Sequence, residues 1–177
     1  MIVILTEGQH RELRSHLFSG RVEQVAFGFA EWKDENGGVF EVHGIELLPP
    51  DDFAFQSAYH LELKSEAHSR VIKAAFDQQA CLVEFHSHRS GWPAQFSGSD
   101  MAGFEEFVPH VRWRLAGRPY GAVVFHETTL DALGWLGASP LQIEGMQVAQ
   151  GGFHPSTGFT LSPPARSTGG RRGGRPV

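Results

Sequence analysis

The chain has 177 residues, 41% of them apolar and including 14 Phe and 4 Trp, which suits one domain with an ordinary buried core. Its net charge of −5 is uneven: residues 165–177, ARSTGGRRGGRPV, carry four arginines and no acid, leaving about −9 on the rest. An acidic body argues against nucleic acid as the main partner, no apolar run approaches the roughly 20 residues of a membrane span, and a lone cysteine, Cys81, excludes an internal disulfide.

The opening MIVIL predicts a strand. It has neither a basic stretch before it nor a small-residue cleavage site after it, so with the single cysteine it points to a reducing cytoplasm. RVEQVAFGFAE, residues 21–31, and VFEVHGIELL, residues 39–48, read as two strands of a hairpin. Between them KDENGG offers Asn36-Gly37 for a turn with positive φ, and Pro49-Pro50-Asp51-Asp52 ends the second strand. YHLEL, residues 59–63, predicts a short strand. Ser65 is expected to cap a helix through about Gln79, where Ala67, Val71 and Ala75, with Ile72 and Phe76, recur at helical spacing.

ACLVEF, residues 80–85, is short, apolar and bounded by polar residues, as a buried central strand would be. A loop over 87–98 follows, and Ser99 or Asp100 opens a second main helix that Pro109 is expected to interrupt. YGAVVFH, residues 120–126, predicts another strand, with weaker ones near 132–136 and 141–149. The expected class is α+β: one domain over residues 1–160, a mixed or antiparallel sheet with two main helices, and a disordered Gly/Arg-rich tail over 161–177.

The chemistry concentrates in EFHSHRSGWPAQFSGSD, residues 84–100. Alternate side chains of a strand share a face, so Glu84, His86 and His88 project together where the strand runs out. Two imidazoles on a rigid strand end can chelate one ion, and Asp100 at a helix mouth can add a carboxylate oxygen. Three protein ligands leave one position of a tetrahedral zinc open, the arrangement of a catalytic site. The plainer alternatives are that Asp100 or Ser97 caps the helix and that Glu84 supports a ligand imidazole. Trp92, with Pro93 and Phe96, either walls a substrate groove or anchors the loop. Cys81, inside the buried strand, reads as inert core, and His126 as a structural histidine.

His86 and His88, a loop, then Ser97 and Asp100 spaced as S-x-x-D resemble the signature of the JAMM (MPN) zinc metalloprotease family. The likeness covers about residues 1–136, in which a Glu-bearing strand, a helix, a buried strand ending in H-x-H and a second helix come in the family's order. The loop from His88 to Asp100 is a residue longer than the usual ten, and Arg89 stands where proline is common; this reads as an insertion. The resemblance implies a single MPN-type domain with a cytidine-deaminase-like layout, a Zn2+ held by His86, His88 and Asp100, and Glu23 as general base. Glu31 and Glu84 are its competitors for that role. It further implies Ser97 as the oxyanion donor.

As substrate, the resemblance implies the extended C-terminal tail of a ubiquitin-like protein, cut after its glycines in deconjugation or maturation. The chain looks like a stand-alone bacterial member working beside a ubiquitin-like activating or conjugating system, with no nucleic-acid or membrane partner. The alternatives are a peptidase that processes a sulfur-carrier protein and a non-catalytic scaffold that has lost its metal.

Overall fold

The arrangement of apolar residues along the strands decides which face each helix covers. The computed structural model describes residues 1–35, 37–89 and 93–162. Strands β1 (Ile2–Leu5), β2 (Val25–Lys33), β3 (Val39–Leu47), β6 (Cys81–Ser87), β7 (Tyr120–Phe125), β8 (Leu130–Trp135), β9 (Leu141–Gln142), β10 (Gly145–Val148) and β11 (Gly152–Pro155) form one sheet. Its order is β11-β10-β1-β3-β2-β6-β7-β8-β9. Strands β4 (Phe53–Gln56) and β5 (Leu61–Leu63) form a separate two-stranded hairpin. The helices are α1 (Glu7–Leu17), α2 (Ser65–Asp77) and α3 (Gly98–Arg114).

The main sheet is mixed. β1 runs parallel to both β3 and β10, and β6 runs parallel to β7, whereas β2 is antiparallel to β3 and β6. The class is therefore α+β, as expected, with three helices among the described residues where two main ones were expected. Both faces of the sheet are covered. Phe27, Phe29, Leu82, Tyr120, Ala122 and Val124 share one core with Val71, Ile72 and Ala75 of α2 and Phe104, Val108 and Val111 of α3. Ala26, Ala30, Val83, Phe85 and Val123 pack on the other side with Leu13 and Leu17 of α1. Successive residues of β6 thus alternate between two cores, which is why the strand reads as a continuous apolar run.

The differences from expectation have local causes. α1 exists because Thr6 and Gln9 form a reciprocal capping box and Leu13 and Leu17 lie one turn apart. Its remaining residues are polar, so hydrophobic periodicity alone gives little sign of it. Ser65 is the first residue of α2, not its cap; Lys64 holds that position. α3 passes through Pro109 without ending. Pro109 and Glu105, four residues back, are both exposed, so water can satisfy the carbonyl that loses its amide partner. β2 starts at Val25, which leaves Glu23 in the segment before the strand. The Pro49–Asp52 cluster does end β3, but β4 begins straight after it, and the expected strand over 141–149 is split into β9 and β10. Asn36, Trp92 and residues 163–177, which hold most of the expected tail, lie outside the described residues.

The sheet's far side is tied to the loop after β6 by a buried carboxylate. Asp131 accepts hydrogen bonds from Gln142 Nε2 (3.0 Å), Ser156 Oγ (2.6 Å), Gly158 N–H (3.1 Å), Thr160 N–H (2.9 Å) and the Thr160 hydroxyl. The segment fixed in this way grips the loop: Thr157 Oγ1 donates to Ala94 O and Phe96 N–H donates to Thr160 Oγ1. Burial alone would raise the Asp131 pKa, but hydrogen bonds from Ser156, Thr160 and Gln142 outweigh it and hold the carboxyl below its ordinary value. A depressed folded pKa contributes stability that is present above the unfolded value of about 3.9 and is lost as pH falls through the folded one. Asp131→Asn should therefore lower the thermal midpoint at neutral pH and flatten its decline below about pH 4, as read by calorimetry across pH. An unchanged acid limb would contradict this role.

Candidate metal centre

β6 lies between β2 and β7, and this sets the direction of its side chains. Val25 pairs with His86 on one side and Val124 on the other. Leu82 belongs to the core beneath α2 and α3, so Glu84 and His86, two and four residues on, face the same helices. His86 is only 3% exposed. Its Nδ1 lies 3.0 Å from Glu84 Oε1, and Glu84 Oε2 accepts a 2.8 Å hydrogen bond from the Tyr120 hydroxyl. Glu84 accepts only, so Nδ1 donates to it, and in the neutral ring the lone pair is on Nε2. That Nε2 is buried and has no hydrogen-bond partner.

His88 follows just beyond the strand, its ring centroid 5.0 Å from that of His86. Across the loop, Ser97 caps α3 and Asp100 is the third residue of the helix. Ser97 Oγ accepts from Asp100 N–H at 3.1 Å, and Asp100 Oδ2 accepts from Ser97 N–H at 2.6 Å. This capping box turns the carboxylate back over the helix N-terminus, toward the histidines. Asp100 Oδ2 lies 3.2 Å from His88 Nε2 and 3.8 Å from His86 Nε2. One ligand atom from each of His86, His88 and Asp100 lies within 4.8 Å of the others, so the group could hold a metal ion. The orphaned His86 nitrogen and the nitrogen–nitrogen–carboxylate donor set both fit a divalent cation.

Glu23 is 6% exposed and its Oε1 stands 3.9 Å from His88 Nε2. Although it lies outside β2, its backbone is held: Glu23 N–H donates to Ser57 O at 2.8 Å, and Gln56 Nε2 donates to Glu23 O at 2.7 Å. Both partners belong to the β4–β5 hairpin. Burial raises the Glu23 pKa, partly countered by His88 and His86. Burial would raise Asp100 too, but the His88 hydrogen bond, the His86 charge and Ser97 together hold it well below the usual carboxylate range. For His86 burial lowers the pKa, yet the Glu84 hydrogen bond and the charges of Asp100, Glu84 and Glu23 raise it overall.

Of the other candidates, Glu84 binds an imidazole rather than standing free. Glu31 is exposed near Lys33 at the far end of β2, beyond reach of the histidines. Cys81 is buried, and burial pushes its thiol up to about 11. Phe96 packs edge-on against His86 at 5.5 Å and anchors the loop. Tyr120 belongs to no motif in the sequence. Its signal was a tyrosine inside an apolar strand, where a buried hydroxyl requires a partner.

No protein-family model matches the chain, and no curated protein matches it. Among solved structures it is similar to protein DSY2949 from Desulfitobacterium hafniense, with a TM-score of 0.50 at 18% identity, over 84% of this chain and 93% of that one. An identity of 18% speaks for the fold alone. Among the described residues no helix is long and apolar enough to cross a membrane.

The Tyr120–Glu84–His86 chain should control how well an ion is held. Glu84→Ala is expected to weaken metal affinity about 10- to 100-fold, and Tyr120→Phe by less, as read by competition with a chromophoric chelator. Unchanged affinity in Glu84→Ala would mean that His86 needs no orienting partner.

Proposed function

We propose that the chain is a zinc-dependent peptidase or isopeptidase with an MPN-type fold of the JAMM class, cutting after the C-terminal glycines of a ubiquitin-like protein. One observation carries this reading: Glu23 converges with His86, His88 and Asp100 beside a groove of about 810 Å³ whose lining includes Asp100 and Glu84. A zinc ion held by His86, His88 and Asp100 supplies Lewis acidity to the scissile carbonyl and to the attacking water.

The chain's own residues do the rest. Glu23, with its pKa raised by burial, takes the water's proton and hands it to the leaving amine. Ser97 Oγ accepts the Asp100 amide and lies 2.9 Å from Ser99 Oγ; with Ser99 as the donor of that pair, the Ser97 hydroxyl proton is free to donate to the developing oxyanion. Along the groove, Leu61, Glu62 and Leu63 belong to β5, one strand of a two-stranded hairpin with an outer edge that an extended tail can join. Val25, Phe104 and Phe107 supply apolar contacts below it. The partners in this reading are the modifier and its activating or conjugating system in the cytoplasm, with neither nucleic acid nor membrane.

The test incubates zinc-loaded protein with a panel of ubiquitin-like and sulfur-carrier fusions. Glu23→Gln should keep its zinc and lose about 10²- to 10⁴-fold in rate, whereas His88→Ala should lose both zinc and activity. Retained hydrolysis in Glu23→Gln overturns the base assignment, and protein that takes up no stoichiometric zinc overturns the enzyme in favour of a scaffold. Ser97→Gly removes the hydroxyl at a cost to the cap of only a few tenths of a kcal/mol, and should lower kcat by about 10²- to 10³-fold.

A further inference from the structure

The groove carries more negative charge than the proposed chemistry uses. Glu62 on β5, Glu66 on α2 and Glu106 on α3 line it, all three are exposed, and none has a basic side chain at ion-pair distance among the described residues. Lys64, also in the lining, points its ammonium at the Asp51 carbonyl, 2.7 Å away. A ligand for this lining needs cationic side chains and a backbone slim enough to lie against a strand edge. The chain itself contains one: residues 166–175, RSTGGRRGGR, combine four arginines with the pairs Gly169-Gly170 and Gly173-Gly174.

The described residues nearest to it in the chain lie at the right place. Thr160 accepts a hydrogen bond from Phe96 N–H at 2.9 Å, and the Phe96 ring lies 5.5 Å from that of His86. Thr160 thus sits beside the loop that carries Ser97 and Asp100. Gly169 is nine positions beyond Thr160, which an extended chain covers in about 30 Å. We propose that residues 166–175 dock in the acidic groove of the same molecule and compete there with the substrate tail. Tethering gives the segment an effective concentration on the order of 1 mM, so even a weak intrinsic contact fills the groove for much of the time. The competition rests on the hydrolase reading of the groove; the docking does not.

The experiment uses the full zinc-loaded chain, labelled with ¹⁵N. Arg171→Glu/Arg172→Glu is compared with the parent, with Glu62→Lys/Glu106→Lys, and with the parent at high salt. Amide signals of Leu61–Lys64 and Gly103–Phe107 should move together with those of residues 167–175 in all three comparisons, and by the same amount at every protein concentration. Groove amides that ignore the arginine substitutions overturn the proposal, and shifts that grow with protein concentration overturn docking within one molecule in favour of docking between copies. On a Gly-Gly-ended substrate, Arg171→Glu/Arg172→Glu should lower KM roughly fivefold with kcat unchanged. Coupled amide shifts in a protein that cuts nothing would sink the hydrolase reading and leave docking standing. Robust hydrolysis with silent groove amides would do the reverse.

Discussion

A single oxygen atom, Oδ2 of Asp100, does two things at once. It closes the N-terminus of α3 by accepting the Ser97 amide, and it faces the Nε2 atoms of His86 and His88. The capping box fixes the carboxylate's rotamer before any ion arrives, so an ion would meet a ligand that has already lost its freedom. The start of the helix and the third corner of the metal group are therefore one structural decision. Acidity reinforces it, because the groups that bind this carboxylate also keep it ionised.

The histidines depend on a different constraint. β6 is enclosed by β2 and β7 and alternates between two cores, so slipping by one residue would exchange Val83 and Phe85 with Glu84 and His86. The apolar residues on the α1 side thereby hold the polar ones on the α2–α3 side. The tyrosine–glutamate–imidazole chain then fixes which nitrogen of His86 faces inward. Asp131 completes the frame from the opposite edge, tying residues 156–160 to the loop between the second histidine and the helix.

What could be read from the sequence were the features set by short-range rules. The alternation in ACLVEFHSH puts Glu84, His86 and His88 on one side, and the Ser-rich stretch before Asp100 marks the start of α3 to within two residues: Ser99 or Asp100 is expected to open it, and it opens at Gly98 behind Ser97. The central strands and the α+β class followed from β-rich apolar runs between turn residues. What escaped was governed by context. α1 is announced by Thr6 and Gln9 more than by its few apolar residues, and Pro109 signals a stop in the sequence, where its exposure is not visible. β4 begins directly behind a proline cluster that signals a break. The support of Glu23 by Gln56 and Ser57 spans more than thirty residues. No local pattern encodes such a contact.

That last support has a mechanical consequence. The hairpin that forms the groove's lip through Leu61–Leu63 is also the bracket on which the buried glutamate is mounted. A displacement of the lip would reach Glu23 through those two hydrogen bonds, without passing through the sheet. In this architecture the edge of the groove and the position of the Glu23 carboxylate hang on the same small lever.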